Sequence, residues 1–449
     1  MRTRHPGDVL NRPSRMLGRR RGSLVTVPSD AALPTMPLVL DTDVIRDALQ
    51  RSLRDGAVTT SVRVRFLRYK PGSYLDVAYE VDVDGRPCTA TAMIAAGTAL
   101  EPLATEPESV RLANLVDGRS PAPFPLMWDR ELAALIQWYP LDLTVPTMAL
   151  PPAHLADALA SLGVIVDALD LAPGPLAYKP RRRAVIRFGG HVVKLYGRDN
   201  DFSKAAAGLG TSGRLGGILA PRPEGAHSGL RMTVQSFLDG APVATPASVA
   251  DEAGALLATL HRSPGEGQPV ARPAEQLRRV SRSATLVMAI LPALTDRVGT
   301  LLARLGATLP PVDELVLSHG DFNARQLLVR QDRLALVDFD SLQVAPRALD
   351  PATFAAHLVS GGAADVDAAR EALDHLASSY DRESSRGRDT LRGLGPAPRP
   401  GSGGRPDVLT WYLAAEILRR STRPFRSFNP DWPAAVESIV GSAEQVLRG

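Results

Sequence analysis

The stretch Leu315 to Ala348, LVLSHGDFNARQLLVRQDRLALVDFDSLQVAPRA, constrains this chain more than any other segment. It reads as a short hairpin in which an apolar strand (Leu315, Val316, Leu317) runs into His319-Gly320-Asp321. A second apolar strand, Leu334 to Val337, runs into Asp338-Phe339-Asp340. The carboxylates therefore stand at strand ends, where loops project side chains into a cleft. Gln326 adds an amide oxygen five positions after Asp321. The set suits transfer of a γ-phosphoryl group from Mg·ATP, in which the protein orients a hydroxyl nucleophile and holds Mg²⁺ against phosphate oxygens. Asp321 is placed to accept the hydroxyl proton. Asp338, Asp340 and Gln326 offer hard oxygens to the metal.

A phosphate-holding lysine is the natural complement, and Ala184 to Gly197 (AVIRFGGHVVKLYG) supplies one. Two β-rich runs flank Gly189-Gly190, and Lys194 lies mid-strand in the second. Lysine occurs only at positions 70, 179, 194 and 204 among 52 basic residues, so the chain otherwise uses arginine. A lysine in an apolar strand of such a protein marks a place where a compact ammonium fits and a guanidinium does not. Arg182 and Arg183, in the turn before the first strand, are candidates for clamping phosphates bidentately.

The pattern His-Gly-Asp, four residues, an amide, a strand and Asp-Phe resembles the aminoglycoside phosphotransferase and choline kinase group, small-molecule relatives of protein kinases. Gln326 stands where most members have Asn, which is similar to maltokinase-like actinobacterial sugar kinases. The resemblance implies an α+β, bilobal protein-kinase-like fold with an N-terminal α+β cap subdomain and a mostly helical C-terminal lobe. It implies that Asp350 braces the catalytic loop; His319 reads as a second brace, because phosphoryl transfer to a hydroxyl does not need a second base. It also implies that Thr233 to Gly240 (TVQSFLDG), with Gln235 and Phe237, forms the interlobe linker whose backbone holds adenine. A Glu on the next helix should pair with Lys194, yet Asp199 to Gly217 contains none, leaving Asp201 as the nearby substitute.

The N-terminal half carries an internal repeat: Arg68-Tyr69-Lys70-Pro71 and Tyr178-Lys179-Pro180 each open a hairpin run. In the first copy Thr89 to Ala92 replace the lysine-bearing strand, so that copy reads as a cap. The expected divisions are a disordered basic tail (1–37), the cap (38–150), a kinase-like N-lobe (151–240) and a helical C-lobe (241–449). Arg2, Arg4, Arg12, Arg15, Arg19, Arg20 and Arg21 define the tail. Asp41 is read as the cap of a helix with Val44, Ile45, Ala48 and Leu49 on one face, Ala153 to Leu169 as a helix, and Asp407 as the cap of VLTWYLAAEILRR. Glu383 to Pro406, rich in Arg, Gly, Ser and Pro, reads as a loop.

With 449 residues and 44% hydrophobic content the chain can bury several cores. The single cysteine, Cys88, excludes an intramolecular disulfide framework. No basic face with interleaved aromatics suggests nucleic acid, no apolar run reaches the length of a membrane span, and the cytoplasm is the expected location. From Ser341 to Gly449 thirteen acidic residues balance thirteen arginines. That balance argues against a polycationic acceptor and mildly favours a neutral sugar. The expectation is an ATP- and Mg²⁺-dependent O-phosphotransferase for a small-molecule hydroxyl. The alternatives are a Ser/Thr kinase of natural-product peptides and a pseudokinase with a regulatory binding role.

Overall fold

The computed structural model describes residues 26–384 and 407–448, apart from Thr98, Asp117, Pro173 and Asp313. The basic segment up to Arg21 and nearly all of the loop expected over Glu383 to Pro406 lie outside these residues. The N-terminal half consists of two five-stranded antiparallel sheets built on one plan. The first contains β1 (Thr59–Lys70), β2 (Tyr74–Val83), β3 (Arg86–Ala95), β4 (Leu126–Asp129) and β5 (Ala134–Trp138), in the order β1-β2-β3-β5-β4. The second contains β6 (Ala177–Lys179), β7 (Arg183–Phe188), β8 (His191–Tyr196), β9 (Pro223–His227) and β10 (Met232–Ser236), in the order β6-β7-β8-β10-β9. In each, a helix joins the third strand to the fourth: Pro107–Leu115 in the first and Asp199–Ser212 in the second.

The repeat extends to individual hydrogen bonds. Tyr69 donates its hydroxyl to Asp30 Oδ2 at 2.7 Å, and the Gly72 N–H reaches the same oxygen at 2.8 Å. Tyr178 donates to Asp142 Oδ2 at 2.8 Å, and the Arg181 N–H reaches it at 2.7 Å. Each aspartate also accepts, at 2.9 Å, the N–H two residues on, from Ala32 and Thr144. Pro34-Thr35-Met36 and Pro146-Thr147-Met148 follow the two aspartates at the same interval. The duplicated unit therefore opens at Asp30 and Asp142, well ahead of the YKP tripeptides.

Two expectations are corrected by this. Residues 26–37, assigned to the tail, are packed: Leu33 and Met36 are buried, and Thr26 O accepts the Trp432 Nε1–H at 2.8 Å. Isolated apolar residues between prolines carry no periodicity, so their burial could not be read from pattern. The division at 150/151 also falls inside the second unit, because Val145 and Met148 share a core with Tyr178, Val193 and Met232.

Local signals account for most element boundaries. Asp84 (φ 53°) and Gly85 (φ 77°) make the two-residue β2–β3 turn, and Gly189 (φ 58°) opens the β7–β8 turn. Asp41 caps Thr42–Gln50 by accepting from Asp43 N and Val44 N. The helix expected over 153–169 stops at Ala160, where Gly163 (φ 80°) and a Val164 N–H···O Leu159 bond close it. The C-terminal half is mostly helical, from Ala250–His261 through Trp432–Arg448, as the α+β, two-lobed reading requires. It holds β11 (Ala241–Pro242), β12 (Leu315–Ser318), β13 (Leu327–Arg330), β14 (Arg333–Leu336) and β15 (Gln343–Pro346). The strands read as one hairpin belong to different sheets, since β12 pairs with β15 and β14 with β13. No helix among the described residues is long and apolar enough to cross a membrane.

Candidate active site

Asp321, Asp338, Asp340, Arg182 and Arg183 line one cleft of about 540 Å³ between the second sheet and the helical half, together with Lys179, Tyr196, Arg279 and Arg419. The floor is the loop after β14. Asp338 adopts a left-handed backbone (φ 65°), a strained conformation for a non-glycine residue that turns its carboxylate towards the sheet. The helix Asp199–Ser212 packs on this loop. Gly208 permits that approach, since a Cβ there would lie 2.2 Å from Phe339 O.

Lys194 Nζ donates to Asp338 Oδ1 at 2.7 Å and Asp340 Oδ1 at 2.6 Å, across 144 and 146 residues of sequence. Arg183 binds the same pair, with Nη2 3.0 Å from Asp338 Oδ2 and Nη1 on Asp340 Oδ2. Tyr196 adds its hydroxyl to Asp340 Oδ2 at 3.0 Å. Lys194 is only 5% exposed, and burial alone would depress its pKa. The Asp338 and Asp340 charges outweigh burial and raise it, so the ammonium stays charged. Burial likewise opposes ionisation of Asp338, but Lys194 and Arg183 hold its carboxyl well below the usual range.

Asp321 sits on a turn held from behind. The buried Asp350 carboxylate accepts the His319 N–H at 2.6 Å and the Gly320 N–H at 2.9 Å. His319 Nε2 lies 3.0 Å from Val337 O, tying this turn to the strand end that carries Asp338. Gly320 (φ 78°) allows the turn, because a Cβ would stand 2.3 Å from Ser341 O. Asn323 Nδ2 donates to Asp321 O at 2.7 Å. The Asp321 carboxylate faces His357 Nε2 at 3.7 Å and Arg420 Nη2 at 3.5 Å. Burial raises its pKa, but the neighbouring His357 imidazole and the Arg420 charge more than offset that and keep it ionised.

Behind Arg420 lies Glu416, 1% exposed, which binds Arg420 and Gln276 and accepts from Thr353 Oγ1 at 3.1 Å and Arg419 Nη2 at 2.8 Å. Sequence reasoning missed His357, Glu416 and Arg420. They are ordinary helical residues 36 to 99 positions from Asp321, and no local motif marks them.

Other sequence-predicted residues fall elsewhere. Asp201 approaches Arg182 at 3.9 Å rather than pairing with Lys194, whose carboxylate partners are Asp338 and Asp340. Gln326 is outside the cleft lining, although its carbonyl accepts the Val337 N–H at 2.9 Å beside Asp338. Gln235 and Phe237 are also outside the lining. Gln235 lies in a central strand, paired with Val192 on one side and Pro223 on the other. The Phe237 N–H is already donated to Gly190 O at 2.7 Å, and the Arg187 guanidinium covers its ring at 4.1 Å. The Gln235 backbone and the Phe237 N–H, expected to hold adenine, are thus engaged within the sheet.

Residues 201–394, which run from the helix behind Lys194 past Asp350, match the model of the phosphotransferase enzyme family. Over these residues the chain is similar to phosphotransferase enzymes. The match bears out the resemblance carried by His319-Gly320-Asp321 and Asp338-Phe339-Asp340. Among solved structures the chain is similar to an amicoumacin kinase in complex with AMP-PNP and Ca²⁺ (13% identity, 65% of this chain and 93% of the other, TM-score 0.47). It is also similar to a choline/ethanolamine kinase family protein from Mesorhizobium loti (18%, 65% and 94%, TM-score 0.43). A third is a macrolide 2'-phosphotransferase from Brachybacterium faecium (20%, 64% and 97%, TM-score 0.41). No curated protein sequence matches the chain.

Proposed function

We propose that this protein is an ATP- and Mg²⁺-dependent O-phosphotransferase acting on the hydroxyl of a small molecule, with Asp321 as the acceptor-side carboxylate. The observation that carries the reading is that Lys194, buried just behind the cleft wall, binds Asp338 and Asp340, which line the cleft together with Asp321. Lysine and two hard carboxylates from distant strands serve triphosphate and metal, and a third carboxylate separated from them serves the acceptor.

The donor set fits a divalent cation that takes few protein ligands and completes its shell with phosphate oxygens and water. Asp338 and Asp340 would hold it, with Gln326 beside them, and it would neutralise charge on the transferring phosphoryl group. Lys194 and Arg183, which grip both carboxylates, are placed to contact the phosphates as well. Adenine recognition is left to residues beyond Phe237 in the linker.

The acceptor oxygen forms its bond to the γ-phosphorus as the bond to the β–γ bridging oxygen breaks. ADP leaves, and the hydroxyl proton passes to Asp321. A carboxylate kept ionised by Arg420 is a weak base, so orienting the hydroxyl is its larger contribution. A sugar or sugar-containing metabolite is the acceptor class suggested by the Gln326 variant of the motif.

The test is calorimetric titration with Mg·AMP-PNP, followed by ATP turnover with an acceptor panel. Binding should require Mg²⁺ and weaken at least about ten-fold in Lys194→Met. Asp321→Asn should bind nucleotide normally and lose transfer. Nucleotide binding indifferent to Lys194 and metal would overturn the reading.

A further inference from the structure

Near Asp321, four separate segments bring arginines together. The short helix Arg423–Arg426 packs against β1, with the Phe425 ring edge-on to Tyr69 at 6.1 Å between centroids. Arg68 precedes Tyr69 and Arg426 follows Phe425, so this one contact places both guanidinium-bearing residues at the junction. Arg68 and Arg181 each lie over the Tyr74 ring, 5.7 Å from its centroid, which connects the rim to the Arg182 wall of the cleft. Arg325 extends from the same turn as Asp321.

The acids available here are already committed. Glu416 is bound by Arg419 and Arg420, Asp321 faces Arg420, and Asp76, opposite Arg68 on the neighbouring strand, is bound by Arg181 at 3.1 Å. Among the described residues, Arg68, Arg325, Arg423 and Arg426 have no carboxylate within salt-bridge distance. Their charges disfavour one another, in addition to the cost of burial. Burial, then the Arg325 charge, lowers Arg423, and burial, then Arg68, Arg182 and Arg419, lowers Arg426.

The even charge count from Ser341 to Gly449 conceals this segregation. Glu437 and Glu444 pair with Arg297, while Arg419, Arg420 and Arg423 act on Asp321. Guanidinium groups clustered without carboxylates recognise phosphate or carboxylate oxygens in forked geometry and repel cationic ligands.

We propose that the acceptor is a small hydroxyl compound that already bears an oxyanion group, a phosphate or carboxylate, held by Arg68, Arg325, Arg423 and Arg426 while its hydroxyl lies at Asp321. This rests on the phosphotransferase reading and narrows it: a polycationic aminoglycoside or choline is excluded, and a phosphorylated or acidic sugar replaces a neutral one. The duplicated first sheet then has a role in the site, since it supplies Arg68 and the Tyr74 platform.

The probe is inorganic phosphate, titrated calorimetrically into the full chain saturated with Mg·AMP-PNP, for wild type and for the Arg423→Gln/Arg426→Gln double variant. Wild type should bind phosphate with nucleotide in place. The double variant should bind it at least about ten-fold more weakly, as expected for two lost charge-assisted contacts, with AMP-PNP affinity and melting temperature unchanged. Absence of phosphate binding to wild type, or equal affinity in the double variant, would overturn the proposal. If AMP-PNP itself does not bind wild type, the phosphotransferase reading fails separately. The phosphate titration without nucleotide then decides the arginine rim by the same comparison.

Discussion

Replacing Asp350 by Asn tests whether the turn carrying Asp321 is held from behind by one buried anion. The Asp350 side chain is 0% exposed, and its two oxygens accept the His319 and Gly320 N–H groups at 2.6 and 2.9 Å, with His261 Nε2 at 3.5 Å. Asn is nearly isosteric, so packing is preserved. It offers one neutral acceptor and turns an NH₂ group towards the second N–H. Loss of one charge-assisted bond costs about 1.5–3 kcal/mol, and a buried donor left unpaired costs about 1–3 kcal/mol. Because these terms overlap, the expected destabilisation is roughly 2–5 kcal/mol, read as a lower urea midpoint at unchanged slope. The same change frees the Gly320-Asp321 peptide, and misplacement of a positioned group by about 1 Å costs on the order of 100-fold in transfer. Nucleotide affinity should stay within about two-fold, since Lys194, Asp338 and Asp340 make no contact with Asp350. A variant within about 0.5 kcal/mol of wild type, with undiminished transfer, would refute this reasoning. It would assign the turn instead to the His319 Nε2 contact with Val337.

Two other consequences can be checked independently. Glu416→Ala leaves the Arg419 and Arg420 guanidiniums without their buried partner and should cost about 3–5 kcal/mol in urea unfolding; a loss below about 1 kcal/mol would show that Asp321 alone suffices. Burial, then the Arg420 charge, pushes His357 down to about 4 from 6.5, so the unfolded chain binds a proton that the folded chain refuses. That contribution to stability is complete above pH 6.5, declines by up to roughly 3 kcal/mol as pH falls to about 4, and is flat below. His261, also depressed by burial, adds with the same sign, whereas the lowered carboxylates Asp321 and Asp338 act only below their ordinary range. His357→Gln should therefore flatten the stability profile between pH 6.5 and 4; an unchanged slope in urea titrations across that window would contradict the assignment.

Elements with local causes were legible from the chain. Turn glycines at 85 and 189 and the Asp41 and Asp407 caps each depend on neighbours within a few residues, and all are present in the fold. The helix read over 153–169 ran too long because the apolar pattern continues past Gly163, where backbone geometry ends it. The extent of the duplication was harder to see. Asp30 and Asp142 identify themselves only through the tyrosines they accept from, 39 and 36 residues away.

The sequence by itself determined the chemistry available: a lysine kept where arginine is the rule, an aspartate after His-Gly, and two aspartates at the end of an apolar strand. These are statements about residue type and near spacing, which a linear pattern carries. Only the tertiary structure decided which charges meet. Lys194 binds Asp338 and Asp340 instead of a helix acid, Glu416 withdraws Arg419 and Arg420 into a buried network, and Arg68, Arg325, Arg423 and Arg426 are left without a carboxylate among the described residues. Electrostatic interaction depends on distance and burial, and a count of charges along the chain contains neither.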